Sequence, residues 1–201
     1  MYPQNIVGLD DEEDLMTTQP ELSTNCLLLR PFVLADAPTV QRLVGDRAIA
    51  STTLNVPHPY EDGMAEEWIG RRQQRFEEGR SVTFAIVLRR DDALIGAISL
   101  MEISQQHEHA ELGYWIGKPY WNNGYCTEAA RAVVRYGFGA LGLHRIRALH
   151  LSRNPASGRV MEKVGMIYEG CQRQHVKKWG VFEDLKMYAI LETECETQST
   201  I

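Results

Sequence analysis

Apolar residues recur along this chain with two different periods, and the switches between periods predict its elements. NCLLLRPF (25–32) is an apolar run stopped by Pro31 and predicts a first strand. From Asp36 onward Val40, Leu43 and Val44 share one helical stripe, and Met64 to Phe76 predicts a second helix that ends at Gly79. The proline-rich VPHPYEDG (56–63) between them reads as a loop. SVTFAIVL (81–88) and ALIGAISLMEI (93–103) predict two strands joined by a hairpin at RRDD, and HAELGYWIG (109–117) a third strand of the same meander. RIRALHL (145–151) sets Ile146, Ala148 and His150 against Arg145, Arg147 and Leu149, the alternation of a strand. Asn154 as N-cap, Pro155 in the first helical position and Gly165 just past the end bracket a short helix. MIYEGCQRQHV (166–176) and VFEDLKMYAIL (181–191) predict two closing strands. The order is strand, two helices, three strands, helix, strand, helix, two strands.

One motif argues for different chemistry. GFGALG (137–142) fits the dinucleotide fingerprint G-x-G-x-x-G letter for letter. That fingerprint works only after a strand and at the start of a helix. Here Ala130, Val133, Val134, Gly137, Phe138 and Leu141 follow helical spacing upstream, and a strand follows downstream. The glycines close a helix, with Gly142 as its left-handed terminator. The match is a coincidence of spacing.

Composition narrows the classes further. With 201 residues, 44% of them hydrophobic and 24% charged, the chain suits one globular domain. Three segments follow: an acidic, disordered N-terminal stretch over 1–24, a domain over 25–191 and an acidic tail over 192–201. Nine of the 27 acidic residues lie in those two ends and none of the 21 basic ones does, so the net charge of −6 describes the ends and the body is near +3. No basic face with interleaved aromatics appears, which argues against a nucleic-acid partner. No run approaches the roughly 20 apolar residues of a membrane span, and no basic segment followed by an apolar one opens the chain, so a cytoplasmic location is expected. Cys26, Cys126, Cys171 and Cys195 form no CxxC pair, and the six histidines show no ligand spacing, so no metal site is expected.

The strand at 109–117 runs through KPYWNNGYCTEAA into a helix. Successive backbone N–H groups there, backed by the helix N-terminus, would cradle phosphate oxygens, with Gly124 permitting close approach. Asn122, Asn123 and Thr127 either cap the helix or add donors.

Taken in order, ELGYWI (111–116), PYWNNGYCTEAA (119–130), NPASGRVMEKVGM (154–166), YEGCQRQ (168–174) and GVFEDLKMYAIL (180–191) make the chain resemble the GNAT acyltransferase superfamily, in its RimJ/RimL-like branch. LLLRPF (27–32) and PHPY (57–60) extend the resemblance, which spans about 25–191. It implies a mixed α/β (α+β) fold: a seven-stranded mixed sheet splayed between its fourth and fifth strands, about four flanking helices, and acetyl-CoA as co-substrate in the cleft. The family's pyrophosphate loop follows Q/R-x-x-G-x-G/A. Gly124 matches its fixed glycine, Trp121 stands at the Q/R position and Cys126 at the final small one, leaving Tyr125 between them. The Cys126 thiol either faces the cofactor, where a helix N-terminus favours thiolate, or packs as a small buried residue.

The implied activity is acetyl transfer to a primary amine, such as the N-terminus of a ribosomal or other protein. A polyamine, an antibiotic and a non-catalytic acyl-CoA-binding module are the alternatives. In relatives the fourth strand gives backbone groups to the thioester and pantetheine, here those of Trp115, Ile116 and Gly117. Glu111, in phase with Gly113 and Trp115, is the candidate base, directly or through water, or else a solvated or arginine-paired carboxylate. Asn154 caps its helix and would also reach a pantetheine amide. Ser157 matches the family position near the sulfur and is the candidate donor to the leaving thiolate, with Tyr114 and Tyr168 as alternatives. Arg159 and Lys163 either meet CoA phosphates or stay solvated. Glu61, Asp62, Glu66 and Glu67 would attract a cationic acceptor or simply favour a helix start. Dimers among relatives imply a homodimer.

Overall fold

The computed structural model describes residues 18–196. The expected disordered head therefore lies outside the described residues over 1–17, as does the tail over 197–201. The sheet begins inside the segment assigned to the acidic head, with a two-residue strand β1 (Leu22–Ser23) paired antiparallel to β2 (Leu27–Arg30). Two residues carry no readable period, so seven strands were expected where eight form among the described residues. A 3₁₀ turn at Leu34–Asp36 leads into α1 (Ala37–Val44). The stripe from Asp36 then breaks at Gly45, and Asp46 restarts the chain as α2 (Arg47–Thr52) by accepting the Ala48 N–H at 2.8 Å. After α3 (Met64–Glu77) come β3 (Val82–Leu88), β4 (Leu94–Ser104) and β5 (His109–Ile116). Next come α4 (Tyr125–Gly139), β6 (Arg145–Leu151), α5 (Pro155–Val164), β7 (Ile167–Lys178), β8 (Val181–Leu191) and α6 (Glu192–Glu196). Among the described residues six helices form where about four were expected, because α2 and α6 are too short to show a period.

The strand order is β1-β2-β3-β4-β5-β6-β8-β7, antiparallel throughout except for the parallel pair β5–β6. Helices cover both faces. One apolar cluster joins α4 and α5 to Phe84, Ile98, Leu100 and Ile146, and a second joins α1 and α3 to Ala85, Val87 and Leu94. Strand β3 is accordingly buried at every position, which its near-continuous apolar sequence requires.

The glycine-rich decoy has a packing explanation. Gly137 lies on the buried face of α4, where a Cβ would come within 2.8 Å of Ile146 Cδ1 and 3.0 Å of Leu100 Cδ1. The missing side chain lets the helix approach the sheet. Gly142 is left-handed, at φ +62°, but lies in the turn to β6, three residues past the helix end.

Where β2 meets α1, Asp36 is buried and accepts both Arg30 guanidinium nitrogens at 2.8 Å and the Val33 N–H at 3.0 Å. Burial alone would raise its pKa, but the Arg30 and Val33 hydrogen bonds outweigh it and the pKa is lowered. Asp36 therefore stabilises the fold above the ordinary carboxylate range, and the contribution is lost as pH falls through its lowered folded value. Asp36→Ala should cost about 2 kcal/mol at neutral pH, below the full cost of breaking a buried pair because Arg30 is partly exposed. Urea midpoints check this, and the difference from wild type should shrink in acid.

Candidate active site

The parallel strands β5 and β6 pair over only three positions: His109 with Arg145, Ala110 with Ile146 and Glu111 with Arg147. Beyond Glu111 the ladder stops, and β6 continues against β8 as far as Leu151. A wedge therefore opens between Leu112–Ile116 and the second half of β6. This is the splay that the resemblance implied between fourth and fifth strands, which are β5 and β6 here.

Its vertex is charged. Glu111 Oε2 accepts from Arg147 Nε at 3.2 Å and lies 3.1 Å from Nη2, while the same Nη2 donates to Glu102 Oε2 at 2.5 Å. A bulge in β4 between Met101 and Ser104 turns Glu102, at φ +50°, toward that arginine. Burial raises the Glu111 pKa, Arg147 opposes the rise and Glu102 adds to it, for a net upward shift. The carboxylate is thus arginine-paired and at the same time poised above its usual range.

Backbone groups on the open edge of β5 follow from the alternation of an antiparallel ladder. Gly117 donates its N–H to Ile95 O at 2.8 Å, so Gly117 and, two residues back, Trp115 face β4. Tyr114 and Ile116 face the wedge. The Ile116 carbonyl is taken by the Trp121 indole N–H at 2.6 Å, which leaves the Ile116 N–H as the donor at the wedge mouth. Of the three residues expected to supply backbone groups, Ile116 alone is oriented to do so; the Trp115 side chain packs toward α1 and α3.

The same indole contact anchors the turn before α4. Asn122 (φ +62°) and Gly124 (φ +81°) are both left-handed, and the Asn123 amide donates to Trp121 O at 2.9 Å. Gly124 is the N-cap of α4 and no side chain caps that end, so the first-turn N–H groups of Tyr125, Cys126 and Thr127 face outward uncommitted. A Cβ on Gly124 would project into open space. Asn123, Gly124, Thr127, Arg131, Arg135 and Lys163 line a cleft of about 480 Å³ there. Arg131 is held across it by donating to Lys163 O at 2.7 Å. Glu128, the one acidic residue of the first turn, also lines this cleft, and its Oε1 is engaged by Thr24 Oγ1 and Cys26 N, both at 2.7 Å. Cys126 packs against the core, and burial pushes its thiol up to about 12, which favours the packing reading over the thiolate one.

Across the wedge, Asn154 caps α5 as expected, with Oδ1 accepting the Ser157 N–H at 3.4 Å. Its amide nitrogen donates to Thr52 O at 3.2 Å, which ties α5 to the end of α2. From the other side buried Lys178 donates to Leu54 O and Val56 O, each at 3.1 Å. The loop after α2 is thereby held between α5 and the β7–β8 hairpin. Ser157, one turn into α5, meets Tyr114 of β5 at 3.0 Å. Tyr168 instead packs edge-on against Tyr188, with ring centroids 5.3 Å apart, and is half-exposed. Arg159 is exposed on α5.

Sequence reasoning missed Arg147, Glu102 and Lys178. The signal for Arg147 was present: arginines at alternate positions of RIRALHL, in the middle of a sheet, need carboxylates beside them. Glu102 and Lys178 gave none, because a bulge and a hairpin tip set their directions.

Among the described residues no group of three or more His, Cys, Asp or Glu is arranged to hold a metal, and no helix is long and apolar enough to cross a membrane.

The sequence pattern of the acetyltransferase (GNAT) domain matches residues 27–167. An uncharacterized N-acetyltransferase of Bacillus subtilis, YnaD, is 33% identical over 174 residues, which is 86% of this chain and 98% of that protein. A GNAT-family acetyltransferase structure from Bacillus anthracis superposes with a TM-score of 0.78 at 28% identity, covering 87% of this chain and all of that one. RimL, a ribosomal L7/L12 α-N-protein acetyltransferase solved with coenzyme A, shares the fold with a TM-score of 0.77 at 18% identity, over 84% of this chain and 95% of its own. With its wedge between two parallel strands and an uncapped helix beside the wedge mouth, the chain belongs to the acetyltransferase (GNAT) family of acetyl-CoA-dependent N-acetyltransferases.

Proposed function

We propose that this protein acetylates a primary amine, with a protein N-terminus as the favoured acceptor, and that the amine attacks directly in a ternary complex. The observation that carries the reading is the wedge after Glu111, with the uncapped N-terminus of α4 beside its mouth. The residues present suit acetyl-CoA. First-turn N–H groups of Tyr125, Cys126 and Thr127 would hold the diphosphate, and Arg131, Arg135 and Lys163 line the adjoining cleft with positive charge.

Acetyl-CoA supplies an activated acyl group as a thioester. Glu111 takes a proton from the incoming ammonium, directly or through water, which frees the nitrogen lone pair to form the C–N bond. Ile116 N–H receives the charge that grows on the acyl oxygen. As the C–S bond breaks, its electron pair stays on sulfur, and the Ser157 hydroxyl steadies it by hydrogen bonding. A thiol of ordinary pKa, about 8.5, is too weakly basic as thiolate to strip a hydroxyl, so Ser157 keeps its proton. The second proton lost by nitrogen balances the one gained by sulfur through solvent.

The acceptor preference rests on charge. Of the four carboxylates expected to attract a cationic acceptor, Asp62 accepts from Gln41 at 2.5 Å and Glu67 pairs with Arg71. Two engaged groups leave less for a polyamine to meet, which favours a single ammonium. The test is release of free thiol from acetyl-CoA with a panel of short peptides, spermidine and aminoglycosides. Turnover on peptides above the rest is expected. Tight acetyl-CoA binding without turnover on any amine would favour a binding module.

A further inference from the structure

We propose that Tyr114 is a positioning residue that parks the hydroxyl proton of Ser157 until the leaving group needs it. The inference deepens the reading above and rests on Ser157 acting at the sulfur.

Tyr114 Oη lies 3.0 Å from the Ser157 carbonyl oxygen and 3.0 Å from Ser157 Oγ. A carbonyl oxygen only accepts, so the single phenolic proton of Tyr114 is committed to it. With the phenolic proton assigned to the carbonyl, the second contact has Ser157 Oγ–H donating and Tyr114 Oη accepting. At rest the serine proton points at the tyrosine and is satisfied there.

Two bonds from one phenol to the backbone and side chain of one residue also brace the first turn of α5 against the open edge of β5. Rotation about the Ser157 Cβ–Oγ bond redirects the proton with no heavy atom moving. The tyrosine keeps its bond to the carbonyl while this happens, so nothing else is broken. The gain comes only when sulfur carries charge, because a hydrogen bond to an anion exceeds one to a neutral phenol. The serine–sulfur contact is therefore the one stronger in the transition state, and Tyr114 serves it by holding Ser157 Oγ at the place from which it is made. Burial pushes the Tyr114 phenol far above its ordinary value, so the tyrosine is not itself the proton source. The neighbouring Cys126 thiol stays neutral and does not compete for the proton.

A double-mutant cycle on the full chain tests this, with saturating acetyl-CoA and the best amine from the panel. Ser157→Ala should lower kcat by about tenfold or more. Tyr114→Phe should lower it by about fivefold to tenfold, with KM for acetyl-CoA within about twofold, as for one lost hydrogen bond. In the Ser157→Ala background the same tyrosine change should cost less than about twofold. Ser157→Thr, which keeps a hydroxyl, should restore the dependence on Tyr114. Equal losses from Tyr114→Phe in both backgrounds would mean that the phenol only braces the helix, and would overturn the proposal while leaving Ser157 in place. A Ser157→Ala enzyme at wild-type rate would remove the reading of Ser157 and the proposal with it. Thermal midpoints of all variants show whether each is folded, and the threonine arm decides the matter if Tyr114→Phe is not.

Discussion

Gly124→Val is expected to weaken acetyl-CoA binding by about a hundredfold, while the protein folds and retains its kcat at saturation. Two effects add. Gly124 has a left-handed backbone at φ +81°, which costs an L-residue about 1–2 kcal/mol and a β-branched one more. Its Cβ would also project into the open space that the first-turn N–H groups of α4 face, where a diphosphate must come close. Gly124→Ala should show the milder, roughly tenfold, form of the same defect. Calorimetry with CoA reads both. Affinity within about threefold of wild type in the valine variant would remove the cradle from the account.

Glu111→Gln should lower kcat by about a hundredfold, with acetyl-CoA affinity nearly unchanged. The substitution keeps the shape of the vertex, and Arg147 retains its bond to Glu102, so the sheet should hold. The pH profile adds a sign. A base works when deprotonated, and the Glu111 pKa is raised, chiefly by burial, over the ordinary glutamate value of 4.5. The rate should therefore fall as pH drops through a value higher than 4.5. Glu102 contributes to that rise, so Glu102→Gln should move the acid limb to lower pH. Stopped-assay profiles of wild type and Glu102→Gln at saturating amine measure the shift. Full turnover in Glu111→Gln would leave the carboxylate a purely structural partner of Arg147.

Much of this architecture was legible in the periods of the chain. The boundaries of β6 match RIRALHL residue for residue, and α5 runs between its predicted cap at Asn154 and the left-handed Gly165. Those elements are long enough, or punctuated strongly enough, to declare themselves locally. β1 and α2 are not: one has two residues and the other six, and each exists because of a partner already in place. The site divides in the same way. The Gly124 turn could be read because backbone conformation is written in glycines and caps. The wedge could not be read from periodicity, since whether β5 and β6 part after three pairs depends on how two distant strands meet. It entered through resemblance. The pairing of Tyr114 with Ser157 was hidden for the same reason, with 43 residues separating the two.

The clamp on the loop after α2 limits how that loop can be exchanged. Carbonyls of Thr52, Leu54 and Val56 are gripped by side chains rooted in two other regions, Asn154 and Lys178. A segment transplanted from a cousin would keep its course only if its own oxygens fell at the same three places. Exchanging what projects from this loop, at exposed Asn55, would therefore disturb its course less than redrawing the loop itself.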